Sequence, residues 1–264
     1  MTLSAADGLL ACPHCGAPLS VADGDATCGR HHFDVARQRY LNLLGGPQPA
    51  HADTAAMVAA RVRVHERGVF AALADALAAS LAGAGRILEV GAGPGAYLVR
   101  CLGADPARRG LALDISTAAA RVAAQADARV AAVVADVWTR LPVRDQAVDA
   151  VLAVFAPRNL PEFARVLAPG GRLVVAVPTP SHLAALRRRH DLLAIPDDKD
   201  DHLARQASGL FTPVETLHVS HPINADPTLA ADLIAMGPNA FHQHVEVTEP
   251  VHDRVDVTVH VWER

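Results

Sequence analysis

From residue 86 onward, short β-branched apolar runs alternate with stretches of helical periodicity: RILEV (86–90), GLALD (110–114), RVAAVVAD (129–136), AVDAVLAVF (147–155) and GRLVVAVP (171–178). Runs this apolar fit strands covered on both faces, and helical segments between them fit crossover connections, so the pattern predicts a parallel, doubly wound sheet. Upstream lies an Ala-rich helical segment reaching about residue 82. It is entered from GGPQPAHADT (45–54), which reads as a linker with Asp53 or Thr54 as helix N-cap. After Pro180 come helical segments carrying RRRH (187–190) and DDKDD (197–201). The β-rich runs PVETLHVS (213–220) and RVDVTVHVW (254–262) then flank a helix expected at 226–236, and they are expected to pair antiparallel at the sheet edge. The first 45 residues have no long periodic apolar pattern and are rich in Cys, Gly, Pro and His. Three units follow: a small module at 1–45, a linker with a helical segment at 46–84, and an α/β domain at 85–264.

Composition sharpens this picture. Hydrophobic residues make up 51% of the chain but aromatics only 4%. The apolar excess is therefore aliphatic, which suits helices packed closely on a buried sheet. Every long apolar stretch is broken by Arg, Asp, Gly or Pro well before the roughly 18 residues a membrane span needs, so no membrane helix is expected. The opening MTLSAADGLLACPHC lacks a basic region followed by a sustained apolar run, so a secretory signal is not expected and a cytoplasmic location is. A net charge of −4 excludes a protein that coats nucleic acid with its whole surface. Between Arg30 and Arg67, however, six arginines face three acids, a local balance of +3 with four histidines interspersed. Such a module can contact phosphate, or simply present a solvated face.

Candidate chemistry begins with Cys12-Pro-His-Cys15, followed by Cys28 and by His31 or His32. Three thiols and an imidazole are the ligand set of a closed tetrahedral structural zinc site, and a segment too small for a core needs such a staple. Three cysteines cannot pair off as disulfides. Cys28-x2-His31 and Cys28-x3-His32 are both feasible. Cys101, on an expected helix, reads as a small buried apolar residue.

The second signal follows the RILEV strand, where Gly91, Gly93 and Gly95 form a turn that lets backbone approach a ligand closely, with Glu89 near the strand end. The next strand ends in Asp114, 19 residues after Gly95, where a carboxylate can accept both ribose hydroxyls. A nicotinamide cofactor would suit that layout too. The third strand ends in Ala135-Asp136-Val137, an acid with an apolar neighbour where methyltransferases of this class hold adenine, and this favours S-adenosylmethionine (SAM). The fourth strand ends in Phe155-Ala156-Pro157-Arg158-Asn159. Amino-methylating enzymes of this fold carry a short Pro-containing apolar motif there; Phe155 and Pro157 suit a base extruded from its helix, and Arg158 and Asn159 its polar edge.

Taken together, Cys12-Pro-x-Cys15, Cys28, a His before Phe33-Asp34, and Ala36-Arg37-x-x-Tyr40-Leu41-Asn42-Leu43-Leu44 resemble the opening of the RlmA-type guanine-N1 methyltransferases of large-subunit ribosomal RNA. Asp53-Thr54 with Met57-Val58-Ala59-Ala60-Arg61, Ala135-Asp136-Val137-Trp138 with Leu141-Pro142, Phe155-Ala156-Pro157-Arg158-Asn159, and Ala235-Met236-Gly237-Pro238 with His242-Gln243 resemble the actinomycete branch that includes tylosin resistance. One departure lies near the zinc ligands, where the Phe33-Asp34 register selects His31 but the family's spacing from Cys28 selects His32.

The resemblance implies a class I SAM-dependent methyltransferase, Rossmann-like with a mostly parallel seven-stranded sheet, carrying a small N-terminal zinc-binding domain. It further implies methylation of guanine N1 in a 23S rRNA hairpin near the peptide exit tunnel, macrolide resistance as a consequence, and a homodimer whose zinc modules flank an RNA cleft. The general base is not named by the sequence; His242 and His244 are candidates. Two alternatives stand beside this reading: a methyltransferase of a small molecule such as an antibiotic intermediate, disfavoured by the zinc module, and a non-catalytic SAM- or RNA-binding subunit, disfavoured by the intact glycines and acids.

Overall fold

A computed structural model describes all residues except Met1, Asp23, Asp197, Asp198 and residues 242–244. The elements run β1 (Ser20–Ala22), β2 (Asp25–Thr27), β3 (His32–Asp34), β4 (Tyr40–Asn42), α1 (Ala55–Glu66), α2 (Ala71–Ser80), β5 (Arg86–Val90), α3 (Ala96–Leu102), β6 (Arg109–Asp114) and α4 (Thr117–Ala126). They continue with β7 (Val130–Val134), β8 (Val148–Val154), α5 (Leu160–Val166), β9 (Leu167–Pro178), α6 (Ala184–Arg189), α7 (Lys199–Ala207), β10 (Thr212–Ala225), α8 (Pro227–Ala235) and β11 (Val251–Glu263). Thr54 caps α1, its hydroxyl accepting from Met57 N at 3.3 Å. The Ala-rich segment is two helices rather than one, because the chain turns at Gly68 with φ +71°.

The eight-stranded sheet has the order β10-β11-β9-β8-β5-β6-β7-β4. Strands β5 to β8 run parallel, as does β9 beside β8, while β11 is antiparallel to both β9 and β10. These seven strands are the ones the apolar pattern anticipated. The eighth, β4, comes from within the first 45 residues and pairs parallel to β7, with Leu41 opposite Val133.

Because successive strand residues face opposite sides, the sheet builds two cores. One face packs Ile87, Ala112, Leu152 and Val174 against Leu73 and Leu77 of α2, Leu98 of α3 and Leu229 and Leu233 of α8. The other packs Leu88, Leu111, Val133 and Leu173 against Phe163 of α5 and, notably, Leu3, Leu9, Leu10 and Leu19. The N-terminal segment is stitched on by backbone as well: Ala11 N donates to Pro142 O at 3.0 Å and Arg144 N to Leu9 O at 2.8 Å. The smaller sheet β1-β2-β3 stands on this segment. Chain order reverses between β5 and β8, which opens a crevice at the carboxyl ends of the parallel strands, where ligands of open α/β sheets bind. Among the described residues, no helix is long and apolar enough to cross a membrane.

Candidate active site and metal centre

The crevice is lined by Gly91, Gly93, Asp114, Asp136, Val137, Phe155 and Pro157 from the strand ends, together with His51, Asp53, Arg61 and Trp138. Gly91 has φ +64°, and a Cβ on it would sit 2.6 Å from Ala156 Cβ, so no other residue fits there. Gly95, at the left-handed N-cap of α3, faces Ala123 of α4 and not the crevice, with a virtual Cβ 3.4 Å away. Its freedom serves the close approach of two helices. Glu89 also lies outside the crevice: it is 1% exposed and accepts from Leu98 N at 3.1 Å. Burial pushes its carboxyl well above the usual range.

Asp114, at the tip of β6, holds the floor. Its Oδ2 accepts from Gly93 N and its Oδ1 from Ser116 N, both at 2.8 Å. Burial raises its pKa, and these two amides pull it back. At the tip of β7, Asp136 Oδ1 accepts from Trp138 N at 2.9 Å. Asn159 does not reach toward the crevice; its amide donates to Val137 O at 2.9 Å and Thr139 O at 3.4 Å, fixing the loop beside Asp136. Half-buried Arg158 lies outside the crevice lining as well.

Phe155 leaves β8 with φ +54°, a left-handed conformation unusual for an aromatic residue, and is held by its N–H to Ala176 O at 3.1 Å. Its ring packs on Phe70 at 6.0 Å and His182 at 5.5 Å. His182 Nδ1 accepts from Asp256 N at 3.2 Å, so the ring proton sits on Nε2, and burial lowers its pKa to about 4. The imidazole is therefore neutral near pH 7. His242 and His244 lie outside the described residues.

The 45–54 segment is more than a linker. Thr117 N donates to Gln48 Oε1 at 2.8 Å and Ser116 Oγ to Asp53 O at 2.6 Å, so the segment straps across the crevice mouth. From α1, Arg61 Nη2 donates to Asp53 Oδ2 at 2.6 Å and Met236 O at 2.7 Å. Arg61 Nε is buried and has no hydrogen-bond partner among the described residues; it lies 3.6 Å from where a Gly93 Cβ would stand. A glycine cradle, two carboxylates at successive strand tips and an orphaned guanidinium donor fit SAM: ribose, adenine and an amino-acid carboxylate each find a complementary group. Sequence reasoning had counted Asp53 as a cap and Arg61 as one of a basic run. Only their place in the quoted family pattern marked them.

At the N-terminal module, Cys12, Cys15, Cys28 and His31 bring their ligand atoms within 4.8 Å of one another. Cys15 Sγ and Cys28 Sγ are 3.7 Å apart, and His31 Nδ1 is 3.4 Å from Cys12 Sγ and 3.5 Å from Cys28 Sγ. A tetrahedral ion with Zn–S of about 2.3 Å separates its sulfurs by about 3.8 Å, so the donor set matches zinc. The geometry corrects the ambiguity over the fourth ligand. His31 is the histidine in the cluster, whereas His32 opens β3 and points away from it, its Nδ1 meeting Asp25 Oδ2 at 3.3 Å. The Arg30 amide and the His31 ring lower the Cys28 thiol to about 6, favouring the thiolate that binds metal.

This arrangement has close relatives. The chain is 43% identical over 241 residues, 89% of its length and 86% of the relative's, to the 23S rRNA (guanine(748)-N(1))-methyltransferase of Streptomyces fradiae. The chain belongs to the RlmA-type methyltransferase family. It is also 40% identical, over 88% of its length and 87% of the relative's, to a Micromonospora griseorubida protein proposed to be a 23S rRNA (guanine-N1)-methyltransferase. Residues 10–48 match the family model described as "RlmA, N-terminal", a zinc ribbon, and residues 87–171 match "Methyltransferase domain". Among solved structures, a geranyl diphosphate methyltransferase bound to its substrate and sinefungin superposes with a TM-score of 0.51 at 15% identity, covering 74% of this chain and 77% of that one. This likeness shows the class I methyltransferase fold. As an RlmA-type protein, the chain joins a SAM-dependent methyltransferase domain to a structural zinc ribbon.

Proposed function

We propose that this protein transfers a methyl group from SAM to N1 of a guanine in a 23S rRNA hairpin near the peptide exit tunnel, in the cytoplasm, and thereby confers resistance to tylosin-like macrolides. The observation that carries the reading is the shared core: a zinc ribbon packs directly on the sheet whose strand tips form the cofactor crevice. The Streptomyces fradiae relative, aligned over 89% of this chain, is a 23S rRNA (guanine(748)-N(1))-methyltransferase.

SAM supplies an electrophilic methyl on a sulfonium, so the protein's task is mainly alignment. Asp114 would accept the ribose hydroxyls, Asp136 and Val137 would hold the adenine, and the Arg61 guanidinium would take the amino-acid carboxylate. Phe155 and Pro157 line the same crevice and would form the wall met by an unstacked base. Asn159 acts by fixing the adenine loop, while Arg158 stands beside that wall. Guanine N1 is protonated at neutral pH, so an acceptor has to reach it before or during attack. His182, buried behind Phe155, contacts its ring from the side of the core. A homodimer with its zinc ribbons on either side of the RNA belongs to the same reading.

Incubation with methyl-labelled SAM and deproteinised 23S rRNA, 16S rRNA or macrolide intermediates tests the proposal. Label is expected in 23S rRNA alone. Label in the small molecule with none in RNA would replace this reading with antibiotic tailoring.

A further inference from the structure

Trp138 is 65% exposed, the most exposed large hydrophobic side chain among the described residues, yet it lines the same crevice as Phe155 and Pro157. An indole left in water costs apolar hydration unless a partner covers it. Its loop is not a loose one. Trp138 N is tied to Asp136 Oδ1 at 2.9 Å, Thr139 Oγ1 donates to Asp136 O at 2.9 Å, and Asn159 clamps the carbonyls on either side. The ring is thus presented from a rigid mount at the mouth through which the substrate base must pass. Arg140, two residues beyond Trp138, has 56% of its side chain exposed while pairing with Asp145 at 3.3 Å.

We infer that Trp138 is a stacking platform for an RNA nucleobase adjacent to the target guanine, holding open the gap left when that guanine is extruded. The inference rests on the rRNA reading above. Extrusion breaks two stacking contacts in the substrate, and an aromatic face at the exit replaces one of them. Every base offers a π-face, so the contact gives affinity and register without demanding one sequence.

The chain has two tryptophans, and the other, Trp262, is 4% exposed. Quenchable emission therefore reports on Trp138. Full-length protein is titrated with the 23S hairpin RNA and, separately, with S-adenosylhomocysteine. RNA is expected to quench the exposed fluorescence and to shield it from acrylamide, and S-adenosylhomocysteine alone to leave it unchanged. Trp138→Ala is expected to raise KM for the RNA about 5- to 100-fold, the effect of losing one stacked base, with kcat and cofactor affinity near wild type. Trp138→Phe restores most of the loss. Quenching by S-adenosylhomocysteine alone would place the indole on adenine and overturn the inference. So would an unchanged KM for RNA, or quenching that depends only on protein concentration, the signature of a second copy. Wild-type methylation in the same assay separates failure of this contact from failure of the rRNA reading.

Discussion

At the scale of single residues, the crevice works through polar atoms whose partners are already half chosen. Asp114 meets two backbone amides while leaving lone pairs toward the crevice. Each hydrogen bond to a charged group contributes about 1.5–3 kcal/mol, so Asp114→Ala is expected to weaken SAM binding at least 10- to 100-fold by calorimetry. Unchanged affinity would remove Asp114 from the cofactor site. Arg61 gives a sharper test, because its buried Nε has no partner among the described residues. Arg61→Ala is expected to raise the Kd for SAM about 10-fold or more, and to leave 5′-methylthioadenosine, which lacks the amino-acid tail, unaffected. Equal losses for both ligands would show that the side chain merely props up the strap. The sequence made Asp114 and Asp136 legible because each ends an apolar strand. Arg61 and Asp53 were not legible from local pattern, since their roles depend on α1 and the strap folding over strand tips more than 30 residues away. Asn159 was read as a base contact, and nothing local distinguishes that from the clamp it forms on Val137 and Thr139.

At the scale of elements, apolar periodicity anticipated the five central runs as strands and the late antiparallel pair, because strands buried on both faces write themselves as continuous Val, Leu and Ala. It did not anticipate β4. Three residues, Tyr40–Asn42, are too short to show a period, and they gain their strand character from β7 alongside. The ligand pattern Cys12-x2-Cys15 and Cys28 was equally legible, whereas the choice between His31 and His32 depended on where β3 begins. His31→Ala is expected to cut bound zinc well below one ion per chain in metal analysis, and His32→Ala to retain it, because only the former ring lies in the cluster. The reverse result would reassign the ligand.

At the scale of the whole molecule, the zinc ribbon and the catalytic sheet share one of two cores, so ligand cluster, strap and crevice form a continuous structure. Against the other core stand two imidazoles, half-buried His65 on Tyr97 and buried His182 beside Phe155, both with pKa lowered to about 4 by desolvation. Arg61 adds to the shift at His65; at His182, Arg187 and His221 lower the pKa further while Asp253 and Asp256 oppose them. In the unfolded chain these rings titrate near 6.5. Their contribution is therefore complete above about pH 6.5 and is lost as pH falls toward 4, on the order of 3 kcal/mol for each ring. Glu89 and Asp114, whose pKa values burial raises, act with the opposite sign, contributing on the acid side and losing that contribution as pH rises. In urea unfolding between pH 7.5 and 5, His182→Gln is expected to lose less stability with acid than wild type measured at each pH. An identical slope in the variant would show that His182 titrates normally in the folded protein.

The central claim is that one crevice, made of Asp114, Asp136, Arg61 and Phe155, delivers a methyl group to guanine N1 in 23S rRNA. Mass-spectrometric mapping of 23S rRNA after incubation with the protein and SAM tests it most directly. The account predicts a single new N1-methylguanine, in the hairpin near the exit tunnel, absent when Asp114→Ala replaces the wild type. Cofactor binding with no modified guanine, or a methyl group on a different base or atom, would contradict it.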